Sequence, residues 1–263
     1  MIKNNDIDGG NAFDFGRASS DYAKYRDIYP DEFYNKIIEL GLCIKGQRVL
    51  DLGTGTGVLP RNMYKYGAAF IGADISAEQI EQARSLSEEA GMNIDYIVAS
   101  AENFVFPGNS FDVVTACQCF QYFDKSVALP RIYRVLKKNG CFCILFMAWL
   151  AEESDIARDT EDLVLKYNPK WTGGRIKRYT PPKTPEWAEE LYTAKDILGF
   201  DVNVSFTRES WHGRMKSCRG IGASSLSTEE IEAFNKELWD YLQHVPEAFD
   251  ILHFVTILNL QAK

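Results

Sequence analysis

The sequence predicts an open, doubly wound α/β sheet, and three observations carry that prediction. Val49, Leu50 and Leu52 form a short apolar run that stops at Gly53-Thr54-Gly55-Thr56-Gly57, as a buried parallel strand does before a tight turn. A second apolar run, Ala68 to Ala73, ends at Asp74, roughly 20 residues past the glycines, where a carboxylate can accept both hydroxyls of a ribose. Strand-like runs then keep alternating with helical stretches as far as Phe146, the rhythm of βα units.

Taken in order, Ser19 to Asp27 reads as a capped helical turn, and Pro30 opens a helix through about Leu40. The glycine loop follows the first strand. Without a Cβ, its backbone can turn sharply and let a ligand lie against it. A helix from about Val58 would point unpaired N–H groups at that ligand. This reads as the first loop of a nucleotide-type cofactor site. The dinucleotide fingerprint is G-x-G-x-x-G, but here the spacing is G-x-G-x-G and Val58 stands where the third glycine would fall. Asp51, two residues before the first glycine, would repel a pyrophosphate and suits a ligand carrying an ammonium and a sulfonium. The stretch resembles motif I of the class I S-adenosylmethionine-dependent methyltransferases.

That resemblance extends along the chain. It implies that Gly53, Thr54, Gly55 and Gly57 cradle S-adenosylmethionine, that Asp74 holds its ribose, and that Ile75 covers an adenine face. Asp74 could instead cap the helix from about Ala77 to Ala90, although Ser76 suits that task as well. A third strand, Asp95 to Ala99, leads into Ser100-Ala101-Glu102, and Ser110-Phe111-Asp112-Val113-Val114 follows, a passage similar to the family's adenine-binding segment. Serine replaces the usual acidic residue at position 100, which leaves Ser100 or Glu102 to meet the exocyclic amine. The fourth strand, Asp112 to Ala116, runs into Cys117-Gln118, expected beside the methionine moiety, and into Gln121-Tyr122 where many relatives have His-Trp. A catalytic role of that histidine does not transfer, and Gln121 is only a candidate. A helix is expected to end at Gly140 with lysines in its last turn, and a fifth strand to run from Cys141 to Phe146. The resemblance further implies a Rossmann-like, seven-stranded sheet of order 3-2-1-4-5-7-6 with the last strand antiparallel.

Tyr22 and Arg26, four apart on one helix face, belong to a Tyr-x-x-Tyr-Arg-x-x-Tyr-Pro entry segment similar to that of trans-aconitate methyltransferase relatives. There it covers the cofactor, and the arginine meets the methionine carboxylate; equally, the tyrosines could pack on the sheet. Residues 147–200 read as an insertion capping the substrate site. Within it a helix is expected from about Glu152 to Lys166, breaks at Pro169–Arg175 and Thr180-Pro181-Pro182, and a second helix from Glu186 to Leu191. Trp149, Trp171, Arg175, Arg178 and Tyr179 would line a pocket there or simply pack. A strand from Phe200 to Phe206, a short helix capped by Thr207, a capped helix to about Gln243 and a strand from Phe249 to Leu260 complete the chain. His212 is a candidate general base for a protonated acceptor, while Arg214 suits an acidic acceptor that needs none.

Bulk properties narrow the function. With 263 residues and 46% apolar side chains, the chain is expected to form a single domain, residues 1–263, with a flexible lead at 1–18. A net charge of −8 argues against nucleic acid, and no apolar run is long enough for a membrane span. The six cysteines include two C-x-C pairs, Cys117/Cys119 and Cys141/Cys143, read as strand packing rather than a metal site. The expectation is a cytoplasmic monomer or homodimer methylating a small molecule. The alternatives are an NAD-dependent oxidoreductase and a non-catalytic S-adenosylmethionine-binding module.

Overall fold

The structure, a computed structural model, describes residues 1–179 and 185–263; the expected break at Thr180-Pro181-Pro182 lies outside them. Its strands are β1 (Arg48–Leu52), β2 (Ala69–Asp74), β3 (Asp95–Val98), β4 (Phe111–Cys117), β5 (Leu136–Trp149), β6 (Tyr192–Thr207) and β7 (Ala248–Ala262). Its α-helices are α1 (Ser19–Tyr25), α2 (Asp31–Glu39), α3 (Val58–Met63), α4 (Ala77–Glu89), α5 (Lys125–Val135), α6 (Asp155–Tyr167), α7 (Arg208–Lys216) and α8 (Thr228–Leu242). The strands form one mixed sheet in the expected order, β3-β2-β1-β4-β5-β7-β6, the last strand antiparallel.

The central pairings explain why β1 reads as uninterrupted apolar sequence. It lies between β2 and β4, Leu50 opposite Ile71 on one side and Val114 on the other, all in parallel register. Leu50, Leu52 and Val114 are fully buried, as a strand covered on both faces must be. The parallel strands end in register at Leu52, Ala73 and Ala116, and this common edge is where an open α/β sheet binds its ligand.

The chain divides into two compact units. The first comprises Met1–Pro30, Ala148–Arg178 and Asp201–Phe254; the second comprises Asp31–Met147, Tyr179–Phe200 and Val255–Lys263. The lead is built into the first unit. Ile2 and Phe13 form an antiparallel bridge, and the buried Asp8 carboxylate pairs with Arg219 at 2.7 Å and accepts from the Thr172 backbone N–H at 2.8 Å. A buried carboxylate with a cation and an N–H donor holds its segment in place, so residues 1–18 are no loose leader.

The 147–200 insertion is also redrawn. Ala148–Arg178 belongs to the first unit, whereas β6 begins at Tyr192, eight residues before the strand expected there. The expected helix at Glu186–Leu191 is a single 3₁₀ turn, Glu186–Ala188. Helix α5 stops at Val135, five residues before Gly140, and β5 starts at once. A Cβ on Gly140 would lie 2.9 Å from the Lys137 carbonyl and 3.2 Å from that of Asp112. Its glycine therefore serves a close backbone approach within the sheet, not a helix cap.

Candidate cofactor site

In the second unit, the loop between β1 and α3 carries Gly53, Gly55 and Gly57 at positive φ (+64°, +56° and +73°). Thr54 N–H donates to the Ala73 carbonyl at 3.0 Å, tying the loop to the end of β2. The three glycines do different work. A Cβ on Gly53 would fall 2.6 Å from Cys119 Sγ, and one on Gly57 would strike the Tyr96 hydroxyl. Those two positions are small because the protein's own side chains occupy the space, whereas the Gly55 N–H is held by Asp74. Val58, buried, fills the place of the dinucleotide motif's third glycine.

Asp74 closes the loop from the neighbouring strand. Its Oδ2 accepts the Gly55 N–H and its Oδ1 accepts the Ser76 N–H, each at 2.9 Å. Burial raises its carboxyl above the usual range against the pull of these two bonds. Each oxygen keeps lone-pair capacity for further donors such as ribose hydroxyls. The cap of α4 is Ser76, whose hydroxyl accepts the Gln79 N–H, so Asp74 is not needed for that task. Beside it, Ile75 is 50% exposed, and Val98, which pairs with Asp74 across the strand ends, is 53% exposed. Two large apolar side chains left in water at this edge suit the face of an aromatic base.

Asp51 is 1% exposed and accepts the Thr115 hydroxyl at 2.6 Å. Burial pushes its carboxyl up to about 6, with that hydrogen bond pulling the other way. The Thr54 hydroxyl also pulls the Asp51 carboxyl down, while that of Thr56 is buried without a hydrogen-bond partner among the described residues, and an orphaned buried donor awaits an acceptor. Loop, carboxylates, exposed apolar side chains and orphaned hydroxyl together fit a nucleoside with a cationic tail.

The remaining expected contacts are unevenly placed. Ala101 is buried, Ser100 Oγ accepts the Glu102 N–H at 3.2 Å, and a Glu102 oxygen accepts the Asp124 N–H at 2.9 Å. One carboxylate oxygen of Glu102 is thus spent on the N-cap of α5. Cys117 ends β4, and Gln118 follows at φ +64° with its side chain donating to the Met147 carbonyl. A non-glycine residue held in the left-handed region marks a strand end that its surroundings over-determine. Gln121 donates to the Gln118 carbonyl at 2.9 Å. No cluster of three metal-ligating side chains occurs among the described residues.

Tyr22, Arg26, His212 and Arg214 all belong to the first unit. Arg26 lies 4.6 Å over the Tyr22 ring. His212 Nε2 sits 3.0 Å from the Asn235 carbonyl, its ring 5.4 Å from that of Trp239. Burial lowers its pKa. The residues expected to line a pocket are mostly engaged in packing and pairing. Trp149 donates to the buried Glu161 at 2.6 Å, Trp171 is buried, Arg175 pairs with Asp162, and Arg178 pairs with Glu153 and Asp201.

Comparison with known proteins points the same way for the middle of the chain. A model described as "Methyltransferase domain" matches residues 50–144, the stretch that holds the glycine loop, Asp74 and the β4 edge. Among relatives of this chain, the ubiquinone biosynthesis O-methyltransferase of Azorhizobium caulinodans is 30% identical over 161 residues, covering 61% of each chain. The uncharacterized methyltransferase YcgJ of Bacillus subtilis is 33% identical over 133 residues, covering 47% of this chain and 53% of its own. The chain thus spans about half to three fifths of these relatives. The solved structure of YcgJ shares the fold with a TM-score of 0.54 at 21% identity, over 88% of this chain and 98% of YcgJ.

Sequence reading missed Val98 and the division of labour among the glycines. Val98 closes an apolar run that reads as ordinary strand core, and only its exposure reveals it. Tyr96, the reason for Gly57, lies 39 residues away in sequence.

Proposed function

We propose that this chain transfers a methyl group from S-adenosylmethionine to a small-molecule acceptor. The observation that carries the reading is the Asp74 carboxylate, which accepts the Gly55 N–H in the middle of a glycine loop whose Thr56 hydroxyl is buried and, among the described residues, unpartnered. When bound, the cofactor supplies a methyl carbon on a positive sulfur, already activated for in-line displacement. Asp74 would then hold the ribose hydroxyls, Gly55 would admit the chain of the ligand backbone-first, and Ile75 with Val98 would cover the adenine. Buried Asp51 would balance the ligand's positive charge. The chain's main contribution is alignment; a base is needed only for an acceptor protonated at neutral pH. Six free thiols fit a reducing, cytoplasmic setting.

The test has two parts. Titration with S-adenosylhomocysteine and NADH side by side should give binding of the first only. Incubation with methyl-labelled S-adenosylmethionine and fractionated small metabolites should move label into an acceptor. Binding of NADH alone would overturn the reading.

A further inference from the structure

The glycine loop stands at the C-terminal ends of the parallel strands. At their opposite ends, within the same second unit, lies a cavity of about 230 Å³. Its lining comes from the turn before β1, the first residues of β4 and β5, and Lys195 of β6. Loop and cavity occupy the two ends of β1, roughly 13 Å apart for four steps of 3.3 Å, so one small ligand does not serve both.

The walls of the cavity are held in place. Gln47 ties the turn together, its Oε1 accepting the Ile44 N–H at 3.0 Å and its Nε2 donating to the Gly41 carbonyl at 2.8 Å. On the other side the β4–β5 ladder slips. Phe111 pairs with Leu136 but Val113 pairs with Cys141, so five steps along β5 answer two along β4. Three extra residues are thrown out within Lys137-Lys138-Asn139-Gly140. Asn139 adopts φ +63° there, in the left-handed region that asparagine tolerates better than most residues. Bulges re-aim side chains, and this one contributes two lysines to the lining.

The charge around the cavity does not cancel. Asp112 is the one acid of its lining, and it is spent. Its carboxylate accepts the Arg48 N–H at 2.8 Å and meets the Lys137 ammonium at 2.8 and 2.9 Å. Lys138 and Lys195 have no acidic partner among the described residues, and Asp196, next to Lys195, accepts from the Asn259 amide at 2.8 Å. Elsewhere in this unit Lys36 meets Glu39 at 2.8 Å and Lys65 meets Asp31 at 3.9 Å. Burial raises the Cys141 thiol in the lining, the Lys195 charge pulls against that rise, and Asp196 adds to it. Two unmatched ammonium groups at one cavity, in a chain of net charge −8, call for an anion. An ammonium on a flexible stem is a point charge suited to phosphate oxygens, whereas bidentate carboxylate recognition favours a guanidinium.

We propose that this cavity is a second ligand site, which binds a diphosphate group between Lys138 and Lys195 while Asp112 keeps Lys137 in position. The site does not depend on the methyltransferase reading. The group could be free pyrophosphate or the end of a larger molecule, and the test separates the two.

Calorimetry on the full chain, at one fixed low ionic strength, follows sodium pyrophosphate, uridine 5′-diphosphate, uridine and sodium succinate. Pyrophosphate should bind saturably to a single site, and uridine and succinate should not. Equal affinity for pyrophosphate and uridine 5′-diphosphate identifies the bare group as the ligand; tighter uridine 5′-diphosphate identifies a larger diphosphate-bearing molecule. Lys138→Ala and Lys195→Ala should each weaken pyrophosphate about 2- to 5-fold, and together about 10-fold, the range for solvent-exposed charge pairs. Lys65→Ala, outside the cavity, should leave it unchanged. Amide resonances of Asn139 and Gly140 should shift with the same saturation, while those of Gly53 to Gly57 stay in place. No saturable pyrophosphate binding, an equal response to succinate, an equal loss in Lys65→Ala, or shifts confined to the glycine loop would each overturn the proposal.

Discussion

The two units leave charge of opposite sign without a counter-ion among the described residues. In the second, buried Asp51 and half-buried Asp74 are acids with hydroxyl and N–H partners but no described cation. In the first, buried Arg214 and half-buried Arg26 are cations with aromatic neighbours but no described acid. Ordinary buried charge in this chain is paired, as Asp8 with Arg219 shows. An unmatched buried charge is costly, and a protein keeps one where a ligand completes it. The contrast therefore predicts a cationic group for one unit and an anionic group for the other.

The strongest challenge to the acidic side is Gly55→Val. The residue sits at φ +56°, so a β-branched side chain both fills the ligand's approach and strains the backbone by about 1 to 3 kcal/mol. Calorimetry should show S-adenosylhomocysteine binding abolished while the chain still folds; normal affinity would mean that the loop faces elsewhere. Asp74→Ala comes next. Loss of a buried, charge-assisted ribose contact should weaken S-adenosylhomocysteine by roughly 2 to 4 kcal/mol, and unchanged affinity in a folded variant would remove Asp74 from the site.

Asp51 gives a smaller, pH-dependent effect. Its carboxyl titrates at about 6 in the folded chain against about 3.9 unfolded. Between those values the folded state holds the extra proton, so this group's contribution to stability falls as pH rises from about 4 to about 6 and is constant above. Ligand binding runs the other way. If the ionised form pairs with the ligand's ammonium, affinity should drop about tenfold from pH 7 to pH 5, where about nine carboxyls in ten are protonated. Asp51→Asn should flatten that profile; an unchanged slope would place the titrating group elsewhere. The smallest effect is expected from His212→Ala in the first unit. The ring's contacts with the Asn235 carbonyl and Trp239 make it a packing element worth about 1 kcal/mol of stability. A kcat loss of about 10²-fold with an identified acceptor would restore it as the base.

What the sequence revealed tracks the range of the interactions involved. The strand-glycine-helix start and the position of Asp74 at a strand end were legible because hydrophobic period and turn chemistry are local; the order of the sheet came only with the resemblance. The first unit was not, because distant segments define it: Asp8 is secured by Thr172 and Arg219, more than 160 residues on. Strand β6 was read short because Lys195, Asp196 and Gly199 interrupt its apolar pattern. Arg214 was visible as a residue, but its missing partner was not, since absence of a counter-charge is a property of the folded surroundings.

Tyr96 links the cofactor loop to an edge of the sheet. Its hydroxyl pairs with Ser87 at 2.9 Å, and its ring takes the volume that a Cβ on Gly57 or Gly72 would claim, the latter at 2.6 Å. Positions 57, 72 and 96 therefore share a single allowance of bulk. Across related sequences this should surface as covariation: a side chain at 72 should occur chiefly where 96 has shrunk, and Gly72→Ala should cost less in a Tyr96→Leu background than in the parent, Thr54 Cγ2 at 2.9 Å still crowding the added Cβ. At 57 the exchange should stay closed, because φ there is +73° and freeing the space does not relax the backbone.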